Sequence, residues 1–156
     1  MPYYRRPYKR TRYGKTIKYS VQQKAFQFTA TGAASSAQVI VPATTLEGMR
    51  KVKHLTVSLS GESAVGNIYW ALVYVPQGTT AQSITVSAAG STTAMYEPNQ
   101  FVMNCGIVDI DAGPIRFSYP IARNLNDGDA IYLVVRPVAS GTFTILGTVR
   151  YAISLQ

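Results

Sequence analysis

Residues 50–75, RKVKHLTVSLSGESAVGNIYWALVYV, decide the fold. In an extended chain Leu55, Val57 and Leu59 fall on one face, and Thr56, Ser58 and Ser60 on the other. That two-residue period predicts a strand with one buried face. Continued backward, it places Arg50, Val52 and His54 together, with Lys51 and Lys53 opposite. Residues 61–66 read as a turn, and residues 67–75 are apolar on both faces, as a central strand would be.

The same reading extends outward in both directions. Alternation resumes in residues 17–28, where Phe26 and Phe28 continue the pattern, and in 37–41, where Pro42 stops it. Beyond Pro76 and Gly78 a Ser/Thr/Ala/Gly-rich stretch runs to about Asn99, with one short strand expected near residues 84–86. A loop of that length in a compact domain is usually functional or an interface element. Strands return at 100–108 and 115–119, and the turn Asn126-Asp127-Gly128-Asp129 leads into 130–135. The last strand, 142–155, puts Phe143, Ile145, Val149, Tyr151 and Ile153 on one face, with Gly147 expected as a bulge. Trp70, Tyr74 and Cys105 are expected in the interior. Eight strands without a helix predict an all-β protein, an antiparallel two-sheet sandwich of the jelly-roll type. An immunoglobulin-like sandwich usually carries two cysteines around a tryptophan, and this chain has one cysteine.

Charge divides the chain differently. Arg5, Arg6, Lys9, Arg10, Arg12, Lys15, Lys18 and Lys24 precede any acid, whereas residues 25–156 carry seven cations and seven acids. Residues 1–16, MPYYRRPYKRTRYGKT, have no core-forming period and are expected to be a disordered basic arm; residues 17–156 form the domain. Lys and Arg neutralise phosphates without regard to sequence. The interleaved Tyr3, Tyr4, Tyr8 and Tyr13 can stack on unpaired bases. Extended, sixteen residues reach roughly 50 Å. Arg50, Lys51 and Lys53 are a second candidate phosphate contact, or else a charged strand end that discourages edge pairing.

Other chemistry has little to work with. There is no glycine-rich phosphate loop and no recognisable nucleophile arrangement, and one His leaves few proton-transfer groups. No enzyme activity and no cofactor are expected. Asp109 and Asp111, with Asp127 and Asp129, are either turn-formers and partners for Arg116 and Arg123 or ligands for a hard cation such as calcium; no metal site is assigned. The lone cysteine and the lack of an apolar leader or spanning segment predict a chain made in the cytosol or delivered to the nucleus, with no membrane partner.

Several stretches resemble capsid proteins of small circular single-stranded DNA viruses that encode a replication initiator, circovirus-like and nanovirus-like. They are RKVKHLTVSL at 50–59, YWALVYVPQG at 69–78, YEPNQFV at 96–102, GPIR at 113–116 and RNLNDGDAIYL at 123–133. The resemblance implies a viral-capsid-type jelly roll, a homo-oligomer of about sixty copies in a small icosahedral T=1 shell, and an inward arm on a single-stranded DNA genome. It implies a virion protein, with the host nucleus or cytoplasm as the site of assembly and nuclear import machinery as a further partner. The alternative reading is a non-capsid single-stranded nucleic-acid-binding β-protein acting as a monomer or small oligomer, and charge and stacking alone would serve RNA as well as DNA.

Overall fold

A computed structural model describes residues 18–32, 34–45, 47–62, 64–86 and 101–155. It contains nine strands: β1 (Ser20–Thr31), β2 (Ser36–Val41), β3 (Arg50–Gly61), β4 (Asn67–Val75), β5 (Val102–Asp109), β6 (Ile115–Tyr119), β7 (Arg123–Leu125), β8 (Ala130–Pro137) and β9 (Thr142–Leu155). One sheet has the order β1-β9-β3-β6, with β7 also on β3, and the other the order β2-β8-β4-β5. Every pairing is antiparallel. β7 pairs the first residues of β3 (Arg50 to Val52) and β6 the later ones (Leu55 to Leu59), so the two short strands fill one position at the sheet edge. Eight positions in two four-position sheets, interleaved in this order, are a jelly roll.

The core lies between the sheets. Leu55, Val57, Leu59, Ile145, Val149 and Tyr151 from the first sheet face Ile40, Ile68, Trp70, Leu72, Ile131 and Leu133 from the second. Trp70 of β4 stacks on Phe117 of β6, with centroids 3.9 Å apart and planes 17° from parallel, joining the two layers directly. Gly106 lies opposite Trp70 in β5, where a Cβ would come within 3.2 Å of the indole nitrogen. The apolar second face of β4 has its own cover. Ala71, Val73, Val75 and Val134 form an outer cluster with Ile84, which is buried at 1% exposure. Ile84 is held there by its N–H on Ser35 Oγ (2.9 Å) and its carbonyl on Arg136 Nη1 (2.8 Å). Residues 81–86 are therefore an irregular strap rather than the expected strand.

Three local expectations are corrected. Gly147 is in continuous register with Phe26 and Leu59, so it is no bulge; a Cβ there would overlap the Phe26 ring. The bulge is in β3, where the register to β9 jumps between Lys53 and Thr56 and His54 has φ 52°. One extra residue shifts the inward phase, so Arg50 and Val52 point in, His54 is exposed, and Leu55 resumes the core. Cys105 is exposed because β5 is an edge strand and its Ala71 register puts it on the outer face.

Leu133, fully buried between the sheets, should cost about 2–5 kcal/mol when cut to Ala, read by urea unfolding. Val21→Ala, at a position 59% exposed, should stay within about 0.5 kcal/mol of the parent.

Candidate nucleic-acid interface

The arm candidates Tyr3, Tyr4, Arg5, Arg6, Tyr8, Lys9, Arg10, Arg12, Tyr13 and Lys15 lie outside the described residues. The described chain takes up at Lys18, two residues before β1. Ser20 pairs with Ile153, and Arg50 with Leu155 and Leu125, so β1 starts at the end of the sandwich where β3 also starts. Lys18, the first described residue, thus lies at the same end as the Arg50 cluster.

At that end Lys18 is exposed, Lys51 and Lys53 are half-buried on the outer face, and Lys53 Nζ sits 4.7 Å from the centre of the Tyr19 ring. The Lys53 ammonium holds the Tyr19 phenol below its usual range, against a smaller opposing effect of burial. Lys18, Lys51 and Lys53, with Tyr19, form a cationic rim where β1 and β3 begin.

Arg50 is not brought to this rim. It is 7% exposed, and its Nη1 and Nη2 donate to the carbonyls of Pro42 and Asp129, both at 2.9 Å. The guanidinium ties the chain before β3 to the turn before β8, an anchoring duty that leaves its Nη groups on main-chain oxygens.

Asp129 organises the same end. Its Oδ2 accepts from Tyr74 O–H (2.6 Å) and Asn126 N–H (2.7 Å), and its Oδ1 from Gln77 N–H (3.1 Å). Burial alone would raise this carboxyl, but the Tyr74 and backbone donors outweigh it and hold it below the usual range. Tyr74 is pushed up to about 12, by burial first and by Asp129 second. The Arg123 guanidinium lies 4.1 Å from the centre of the Tyr74 ring, and the half-exposed Phe101 meets that ring edge-on at 5.4 Å. Arg123 therefore has an aromatic partner instead of the expected carboxylate.

The candidate cation ligands are divided between the two ends of the sandwich. Asp111 accepts from the N–H groups of Val65 (2.9 Å) and Gly66 (2.7 Å), and Asp109 Oδ1 accepts from Asp111 N–H (3.0 Å). They act as turn-formers, and no group of three or more metal-ligating side chains occurs among the described residues.

Among solved structures the chain is similar to the capsid protein of beak and feather disease virus (BFDV) in two assemblies. The decameric form is 10% identical with a TM-score of 0.45, covering 90% of this chain and 99% of that one. The 60-mer is 8% identical with a TM-score of 0.46, covering 92% and 96%. A structure of infectious bursal disease virus, Gx strain, is 12% identical with a TM-score of 0.40, covering 89% of this chain and 32% of that one. No protein-family model and no curated protein matches. The jelly-roll assignment stands on the strand order itself.

Asp129→Ala leaves three donors without their acceptor and should cost about 3 kcal/mol or more in chemical unfolding. Because the folded-state pKa is depressed, the carboxylate's stabilisation is complete above the unfolded value of about 3.9 and is lost as pH falls below it. Melting curves of the parent should therefore fall more steeply than those of Asp129→Asn below about pH 4.

Proposed function

We propose that this chain is a viral capsid protein that assembles with copies of itself into a small closed shell and packages single-stranded DNA through its basic N-terminal arm. The observation that carries the reading is the join between arm and fold. Seven of the cations that precede any acid end at Lys18, and β1 of a jelly roll begins two residues later, beside Lys51 and Lys53. A polycation tethered to a repeating building block gathers a polyanion by counterion release while the blocks associate with one another. The resemblance in residues 50–59, 69–78, 96–102, 113–116 and 123–133 supports DNA over RNA as the cargo.

The body offers surface for association between copies. Val21, Ile107, Ile121 and Val138 are more than half exposed, at 59%, 57%, 63% and 54%. Buried area between copies would give these side chains the contacts that a lone molecule does not.

Removing residues 2–16 should leave particles that form but hold no nucleic acid, judged by electron microscopy and the 260/280 nm absorbance ratio. Packaging at the parental ratio by the truncated protein would contradict the arm's role. Binding of the arm to single strands should weaken with salt at a log–log slope of about −5, and a flat response would contradict charge-driven capture.

A further inference from the structure

The body's charge is neutral in sum but not in space. The five-stranded sheet carries Lys24 on β1, Arg50, Lys51 and Lys53 on β3, Arg116 on β6, Arg123 on β7 and Arg150 on β9. None of the chain's seven acids lies on any strand of that sheet. The strands of the other sheet hold one cation, Arg136, and one acid, Asp109.

On the outer face of the five-stranded sheet the pairing builds two adjacent cross-strand rows. One runs Gln23, Arg150, Thr56, Ser118, and the next Ala25, Thr148, Ser58, Arg116. Arg116 and Arg150 are exposed and stand two strands across and one pleat along, roughly 12 Å apart at the backbone. Between them lies a cavity of about 170 Å³ lined by Gln23, Thr56, Ser58, Arg116, Thr148 and Arg150, together with Val149. No carboxylate lines it, and neither Arg is ion-paired among the described residues. Two guanidiniums with hydroxyls between them suit an anion with several acceptor oxygens.

A second hollow, of about 550 Å³, adjoins it and shares Ser58 and Thr148. Its walls include Phe26, Leu59, Pro114 and Leu146, the last 40% exposed. An apolar recess beside a phosphate-sized cationic one is room for an unstacked base, which a single strand presents and a duplex does not.

We propose that this outer face is a second nucleic-acid contact, with Arg116 and Arg150 on the phosphodiester backbone of a single strand and an unpaired base over Leu146. The proposal rests on the packaging reading given above but assigns body residues that the arm does not include.

The test uses the full chain with a labelled oligo(dT), titrated across salt concentrations below the onset of particle formation. Arg116→Gln with Arg150→Gln should reduce the magnitude of the log–log slope by about 1.4 and the affinity roughly twentyfold at 0.1 M salt. Arg116→Lys with Arg150→Lys should keep the slope, and Arg136→Gln, on the other sheet, should leave the slope unchanged. Ser58→Ala with Thr148→Val should weaken binding roughly fivefold at an unchanged slope. An unaltered slope in the double Gln variant, with its melting temperature intact, overturns the proposal. Equal losses against a duplex of matched charge overturn the assignment of a single strand. Arg5→Gln with Arg6→Gln tests the arm separately: if those changes have no effect while the face variant still loses slope, the arm reading fails and the face stands.

Discussion

Like charges on neighbouring strands repel, and a sheet whose outer face carries Lys51 and Lys53 on β3, Arg116 on β6 and Arg150 on β9, with no acid on any of its strands, needs another source of cohesion. Its inner face supplies that source. Leu55, Val57, Leu59, Ile145, Val149 and Tyr151 are shut against the second sheet, and Phe117 is stacked on Trp70. Each fully buried side chain of this size contributes about 1.5–3 kcal/mol, far more than repulsion between exposed charges in salt removes. The apolar layer thus lets the outer face stay cationic.

The two sheets divide the work accordingly. The five-stranded sheet begins with β1 and carries the cationic rim and the Arg116/Arg150 groove. The four-stranded sheet turns an apolar outer face toward the strap that buries Ile84. Asp129 and Arg50 lock the end where β1 and β3 start, through contacts to β4 and to the segments before β3 and β8, so the rim has a fixed base.

Much of this architecture was legible in the order of residues, because a two-residue period reports directly on which side chains are buried. The alternation of Leu55, Val57 and Leu59 and the doubly apolar β4 led to the two-sheet sandwich. The bulge at His54 was not legible: the pattern is regular on both sides, and only the pairing with β9 reveals the extra residue. That phase shift is why Arg50 is interior while Lys51 and Lys53 remain outside. Gly147 was misread because a glycine in a strand can mark either a bulge or a space for a neighbour, and only the place of Phe26 decides. Asn126-Asp127-Gly128-Asp129 was readable as a turn, but not the burial of its last carboxylate under Tyr74. The cationic face was hidden for a different reason. Arg116 and Arg150 are distant in sequence and come together only through the order β9-β3-β6, so a running charge count averages them away.

The central claim is that this polypeptide closes around a strand with its acid-free sheet toward the cargo. The most direct measurement is an image reconstruction of particles grown from the intact chain on single-stranded DNA. The account predicts closed shells in which the strands β1, β9, β3 and β6 border the interior density. Isolated molecules with no particles, or shells whose four-stranded sheet lines the cavity, would contradict it.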